Sequence, residues 1–337
     1  MKKVFSSYEF FLFIIFVIVS CCIGLITPVF FGVGNIFKIL KSSVEMGMFA
    51  LCFMLVLILG GIDMSFSAIG VASMYTTITL INHLQGNPSL FVLFLIAGCI
   101  GMVFGAINGV LIGYLELPTL IVTLGTMSII HGGLVVFVGK KWVSNIPDSL
   151  VRFSKFNIIE WTSKTGEIQG LHSAVLILIA TIVLVYLLLK YTWYGRSIFA
   201  IGGNPIAAKR HGINVVKTKV ITFIIVGFIS GITGLIHCGL VRMANPFDMV
   251  GGELNIIAAV VLGGASLAGG SASVVGTVLG VFLINIINNS LILLGIPSYW
   301  QKLFIGGIVI LSTLLTANRD SIGLFFNQKK DRKEGIV

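Results

Sequence analysis

Apolar residues run through this chain in long strings bounded by single charges, and the strings have membrane-spanning length. Positions 10–27, 46–62, 117–139, 168–189, 220–241 and 303–318 hold no Asp, Glu, Lys or Arg. Each allows one helical crossing, since a bilayer core needs about 20 mostly apolar residues. Two strings are longer. Residues 64–115 form 52 uncharged positions broken by the turn-like NHLQGNPS at 82–89, and residues 254–301 form 48 broken by GGSAS at 269–273. Each allows two crossings, so the pattern predicts an all-α polytopic membrane protein of about ten transmembrane helices.

Composition supports that class. The chain is 57% hydrophobic and only 10% charged, with a mean hydropathy of +1.07. Glycine supplies 40 of 337 residues, well above the usual level of about 7%, and small residues let membrane helices approach closely. The opening MKKVFSSYEFFLFIIFVIVSCC has a basic lead and an apolar run, as a signal peptide does. Its 18 uncharged residues from Phe10 to Thr27 and the lack of a small-x-small cleavage pattern favour a first anchor. Cys21, Cys22, Cys52, Cys99 and Cys238 all lie in apolar strings without a CxxC pair, and are expected as buried small side chains.

The net charge of +10 does not point to nucleic acid, because the basic residues sit in short connections rather than on one folded face. With ten crossings, the connection 190–219 falls on the same side as both ends of the chain. It carries Lys190, Arg196, Lys209, Arg210, Lys217 and Lys219 and no acid. That side then holds thirteen of the 22 Lys and Arg, the other nine. The positive-inside rule makes it cytoplasmic. Residues 1–318 are thus expected as a single transmembrane domain of a cell-membrane protein with both termini cytoplasmic, and 319–337 as a basic cytoplasmic tail. The largest connection on the outer side, about 140–172, is too short for an independent domain and carries Trp142 and Trp161 near the interface.

Few polar residues interrupt the spans. In LGGIDMSFSAIG, 59–70, Asp63 follows the glycine pair Gly60 and Gly61. A carboxylate at depth costs about 2.5–3.5 kcal/mol on insertion scales. Either the glycines break a helix so that Asp63 and Ser65 cap the next one and face a route or gate, or Asp63 merely caps a turn at the membrane edge. A similar break, LGGASLAGGSAS at 262–273, suggests a weak internal duplication with one interrupted helix in each half. Asn108, Thr119, Thr123, Thr126, Asn255 and Asn285 either bond neighbouring helices or line a path for a polar solute. His131 and His237 have no carboxylate at catalytic spacing and are expected as helix contacts. No HExxH, Ser/His/Asp order, paired intramembrane carboxylates or GxxxxGK[ST] loop occurs, so an enzyme is disfavoured, and any nucleotide hydrolysis belongs to another polypeptide. No metal or cofactor set is visible.

The basic connection contains GGNPIAAKRHGINV, 202–215, with both ends of a short helix marked. Asn204 suits the amino-terminal cap, Pro205 the first turn and Gly212 the left-handed position past the other end. That leaves about seven residues, roughly 10 Å. Ile206, Ala207 and Ala208 offer a small apolar side, with Lys209 and Arg210 exposed. Such a stub suits a groove in another protein better than a lipid surface, which one and a half turns would hold poorly.

Four stretches, GGIDMSFSAIG (60–70), NGVLIGYLELPTLIVTLGTMSIIHG (108–132), GRSIFAIGGNPIAAKRHGI (195–213) and VVLGGASLAGGSASVVGTVLG (260–280), resemble in order the membrane permeases of ribose-type ABC importers. The likeness covers roughly residues 40–315. It implies a permease paired with a second copy or a sister permease, two cytoplasmic ATPase domains and an external solute-binding protein, carrying a sugar or a sugar-derived autoinducer. By this resemblance the 195–213 motif is the coupling loop, with Gly203, Asn204, Pro205, Ala208 and Gly212 in the helix that sits in the ATPase groove. Glu253 would lie at the outer mouth, either capping its helix or meeting the binding protein. Met64, Ser65, Phe66 and Ser67 depart from the family pattern, and the bulky Phe66 bears on local packing. The rival functions are a carbohydrate carrier driven by an ion gradient and a membrane scaffold that transports nothing.

Overall fold

The computed structural model describes residues 8–162 and 168–297, together with 300–303, 306, 307 and 310. The helices are α1 (Tyr8–Ile26), α2 (Val33–Ile58), α3 (Phe66–His83), α4 (Leu90–Gly113), α5 (Thr119–Gly133), α6 (Asp148–Lys155), α7 (Ala174–Tyr191), α8 (Trp193–Gly203), α9 (Pro205–Arg210), α10 (Val215–Val241), α11 (Glu253–Leu262) and α12 (Val274–Leu293). A π-helical turn, Leu134–Val138, continues α5. Strands β1 (Asn157–Thr162) and β2 (Ile168–His172) pair as an antiparallel hairpin.

Seven helices among the described residues are long and apolar enough to cross a bilayer: α1, α2, α4, α5 with its extension, α7, α10 and α12. The chain is a multi-pass α-helical membrane protein. Its centre is α2, in which every residue from Gly47 to Ile58 is buried. An apolar stretch without a polar face has no surface to present to water and is surrounded by other helices.

Close backbone contacts hold the bundle. The main pair is α4 against α10, joined through glycines spaced by four. A Cβ on Gly101 would stand 2.1 Å from the Gly227 carbonyl oxygen, and one on Gly227 would stand 2.2 Å from that of Gly101. In a bilayer, association comes from such van der Waals contact rather than from water exclusion. The same device recurs between α11 and α12, where a Cβ on Gly280 would meet the Ala259 carbonyl oxygen at 2.0 Å.

Several expected boundaries are corrected. The span at 46–62 begins thirteen residues earlier, because Lys38 and Lys41 border a cavity at the hairpin end of the bundle and Glu45 is paired with His237. The stretch 168–189 is strand to His172 and helix only from Ala174. The string 254–301 supplies one full crossing, α12, plus the ten-residue α11, about 15 Å long and too short to span. The connection 140–172 carries α6 and the hairpin, so the fold is not helical throughout. Cys52 and Cys238 are buried, but Cys21, Cys22 and Cys99 are exposed; an apolar string in a membrane helix faces lipid as readily as core. Trp142 and Trp161 are both exposed. Most of the span expected at 303–318, and all of the tail 319–337, lie outside the described residues.

Candidate functional site

The basic stub forms as its signals require. The Asn204 side chain accepts a hydrogen bond from the Ala207 N–H at 3.0 Å, Pro205 takes the first position, and Gly212 ends the turn at φ +82°. The N–H groups of His211, Gly212 and Ile213 return to the carbonyls of Ala207, Lys209 and Ala208. Ala208 is buried, whereas Pro205, Ile206, Lys209 and Arg210 are exposed, Ile206 to 68%. The outward apolar face is therefore Pro205 and Ile206, with Ala208 turned toward the bundle. Beside it runs a cavity of about 840 Å³ lined by Ile206, Lys209, Gly212, Glu116, Val216 and Lys219 among others.

Helix α8 ties this stub to the spans. Thr192 caps it through the Gly195 N–H at 3.0 Å, and Tyr194 Oη lies 2.7 Å from Thr222 Oγ1 on α10. Burial pushes the Tyr194 phenol up to about 12, so this anchor stays neutral. At its other end α8 closes on the bundle through Gly202. A Cβ there would fall 1.7 Å from the Ile58 carbonyl oxygen and 2.6 Å from the Gly270 nitrogen. The Gly270 N–H itself donates to Ile58 O at 2.9 Å, and a Cβ on Gly269 would meet Gly60 Cα at 2.6 Å. Three glycine pairs far apart in sequence, Gly60–Gly61, Gly202–Gly203 and Gly269–Gly270, thus converge at the base of α9.

The segment after Gly60 does not stay at that surface. Phe66, the first residue of α3, packs on Phe49 and Phe53 with ring centroids 5.2 and 6.3 Å away, nine and five residues before the end of α2. Helix α3 therefore begins roughly 8–14 Å inside the bundle. In the extended stretch between them Gly61, Asp63 and Ser65 are buried and Ile62 and Met64 half-buried. Asp63 Oδ1 accepts from the Ser65 N–H at 2.7 Å and the Ser65 hydroxyl at 2.6 Å. Asn108 Nδ2 donates to Ser65 Oγ at 2.8 Å, and Thr123 Oγ1 accepts from the Met64 N–H at 3.2 Å. Asp63 Oδ2 and Asn108 Oδ1 have no hydrogen-bond partner among the described residues.

Helix α11 starts at similar depth and runs the opposite way. Glu253 is buried, accepting from the Gly251 N–H at 2.9 Å and from the Ser67 hydroxyl. It makes no cap bond to its own helix, whose N-cap is Gly252, and instead joins the amino ends of α11 and α3. Toward the hairpin end opens a cavity of about 460 Å³ lined by Phe49, Gly251, Asn255, Asn285, Asn288 and Glu45 among others. At its rim His237 Nδ1 lies 2.6 Å from Glu45 Oε2, and Nε2 lies 3.3 Å from Asp248 Oδ2. His237 is thus no isolated helix contact. The ring contact of His131, edge to face at 5.8 Å, is with Phe247, in the turn after α10 rather than on a helix.

Two interrupted helices meeting end to end inside the bundle are a feature of membrane transporters, and the comparisons with known proteins agree. The family described as "Branched-chain amino acid transport system / permease component" matches residues 35–313. The chain belongs to this permease family. It is 33% identical over 307 residues, 91% of this chain and 92% of its counterpart, to the ribose import permease protein of Haemophilus influenzae. The L-arabinose ABC transporter permease protein of Azospirillum brasilense is 31% identical, covering 90% of this chain and 86% of its own. The autoinducer 2 import system permease protein of Photorhabdus laumondii is 29% identical, with 89% and 87% covered. No solved structure matches the chain.

Of the residues singled out in the sequence of this permease, Asp63, Ser65, Asn108 and Thr123 form one buried cluster. Gly60 meets the third glycine pair, whereas Gly61 packs against Thr119, whose Cγ2 a Cβ would reach at 2.9 Å. Asn255 stands apart, in the cavity beside Phe49. Sequence patterns missed Gly202 and the partners of His237. Gly202 was one glycine among forty, and Glu45 is 192 residues away from His237, so nothing local marks either contact.

Proposed function

We propose that this permease is the membrane-embedded subunit of an ATP-driven importer for a sugar or sugar-like solute. In this reading α9 faces the cytoplasm and seats in the groove of one of two ATPase domains, which supply the energy. Both termini and the basic tail 319–337 share that side, residues 1–318 form a single domain crossing the cell membrane about ten times, and a second copy or sister permease completes the path. An external binding protein delivers the solute to the hairpin end, where the cavity lined by Asn255, Asn285 and Asn288 offers amide donors and acceptors suited to hydroxyl groups.

The observation that carries this reading is the seating of α9. A rigid, doubly capped stub would serve poorly as a lever if it hung on a loose loop. Here its base is locked by Gly202 onto both Ile58 and Gly270. A push on α9 is thereby delivered together to the end of α2 and to the glycine break between α11 and α12, which is how a two-state bundle is biased from one surface.

A cysteine in place of Ile206, crosslinked in cells that make the whole importer, is expected to capture the ATPase, and sugar uptake in proteoliposomes is expected to require ATP. A carrier driven by an ion gradient has one observation in its favour, the Glu45–His237–Asp248 cluster beside the cavity. Uptake by the purified permease alone on a proton or sodium gradient would replace the importer with that carrier.

A further inference from the structure

At the hairpin end, the first turns of α2, the end of α6, the hairpin and the residue after α10 enclose a second cavity, of about 440 Å³. Its charged lining has one sign: Lys38, Lys41, Lys155 and Arg242, without an acidic residue. Among the described residues none of these four lies within ion-pair distance of a carboxylate. They make up four of the nine Lys and Arg assigned to the outer side, where the positive-inside rule disfavours them. Nearly half of the outer positive charge thus sits at one cavity.

The cavity is built rather than incidental. Arg242 takes a left-handed backbone conformation, φ +60°, and its Nε donates to Ser154 Oγ at 2.8 Å, which fixes the plane of the guanidinium. His172 is committed elsewhere. Its Nδ1 accepts from the Ala174 N–H at 3.0 Å, and Nε2 lies 3.3 Å from the Ser154 carbonyl. Burial first, and then the charge of Lys41, lower its pKa. The imidazole is neutral and leaves the charge to the lysines and the arginine. An unpaired cation cluster in a recess is stabilised by an oxyanion, and phosphate oxygens match both the planar fork of Arg and the point charges of Lys.

The surroundings say which oxyanion. On either side of Asn157, which borders the cavity, Phe156, Ile158, Ile159 and Trp161 are exposed. Aromatic and aliphatic side chains beside clustered cations mark the headgroup level of a bilayer. We propose that this cavity holds the phosphate of an anionic glycerophospholipid of the outer leaflet, with the exposed apolar hairpin residues against its acyl chains. A free phosphate, or a carboxylate of an external protein, has the charge but makes no use of the apolar border. The outward placement rests on the orientation given above; the binding measurement itself does not depend on transport or on the ATPase.

The test uses the full-length permease in nanodiscs of phosphatidylcholine with and without phosphatidylglycerol, read by native mass spectrometry. One phosphatidylglycerol per chain is expected to stay bound when phosphatidylcholine is stripped. Lys38→Gln with Lys41→Gln is expected to lower its occupancy by about tenfold, equivalent to about 1.4 kcal/mol, and Lys155→Gln alone to lower it less. Monodisperse elution and unchanged thermal unfolding in pure phosphatidylcholine establish that the variants fold; if the double variant does not, the smaller occupancy loss of Lys155→Gln is the readout. Equal retention in wild type and every folded variant would overturn the proposal. So would competition by inorganic phosphate as effective as phosphatidylglycerol, which assigns a free ion. Loss of binding-protein docking in the double variant without any lipid retention in wild type would likewise overturn it, in favour of a protein carboxylate.

Discussion

The amide of Gly270 donates to the carbonyl of Ile58 at 2.9 Å, joining the end of α2 to the second glycine break across more than two hundred residues. Gly202 lies against the same carbonyl. One acceptor thus anchors three segments, each with a glycine pair, directly beneath α9. Backbone hydrogen bonding between broken helices is tolerated in a membrane protein where it is buried in protein, and the absence of side chains lets the three strands of chain touch.

Gly202 and Gly203 are adjacent but not equivalent. A methyl group at Gly202 would collide with backbone, while one at Gly203 meets nothing within 4 Å. Gly202→Ala is expected to destabilise by about 1–3 kcal/mol, the range for overpacking, and to impair ATP-driven uptake. Gly203→Ala should stay within about 0.5 kcal/mol of wild type. Thermal unfolding in detergent, with uptake in proteoliposomes, distinguishes the two.

The ends of α9 separate stability from surface recognition. Asn204→Ala removes the acceptor for Ala207 N–H and should cost about 1 kcal/mol, with Asn204→Asp retaining the bond. Gly212→Val meets open space, so its cost is the left-handed backbone alone, about 1–2 kcal/mol. By contrast Ile206→Asp, at a fully outward position, should leave unfolding unchanged and weaken ATPase capture in the crosslinking assay.

Asp63 is held by its acceptor role. Asp63→Asn keeps an oxygen for the Ser65 N–H and hydroxyl and is expected to unfold near the wild-type temperature. Asp63→Ala strands both donors in a buried site, a loss of about 1–3 kcal/mol. Wild-type-like uptake by Asp63→Asn would show that no proton need move on this carboxyl; its complete loss with normal stability would favour a gradient-driven carrier.

His172 makes the hairpin end sensitive to acid. Its pKa lies below the ordinary 6.5 through burial and then Lys41, so just below that value the folded state binds fewer protons than the unfolded one. Stability is fully present above about 6.5 and is lost as pH falls through the folded pKa. Protonation also removes the Nδ1 acceptor of the Ala174 N–H. Hydrogen exchange at Ala174, corrected for intrinsic rates, should accelerate as the pH falls below about 6.5, and His172→Gln should abolish the change.

What was legible in the sequence depended on how local the signal was. The caps of α9 were, because Asn204 and Ala207 are three residues apart and Gly212 alone satisfies a left-handed turn. The cluster of Asp63, Ser65, Asn108 and Thr123 was legible as four candidates but not as one site. The re-entry of 59–65 into the bundle was one of two open readings, since a glycine pair reads alike at a surface turn and at a membrane-depth break. The His237 contacts had no sequence mark at all.

By itself the sequence determined a multi-pass helical membrane protein, the family of permeases and the stub with its two caps, because the bilayer enforces helix on long apolar strings and capping is a short-range affair. Only the tertiary structure decided that the glycine pairs meet, that α3 and α11 begin face to face inside the bundle, and that four cations share one cavity. Those outcomes depend on which helix faces touch, and in a bilayer lipid and core are equally apolar, so a hydrophobic pattern alone carries no record of the choice.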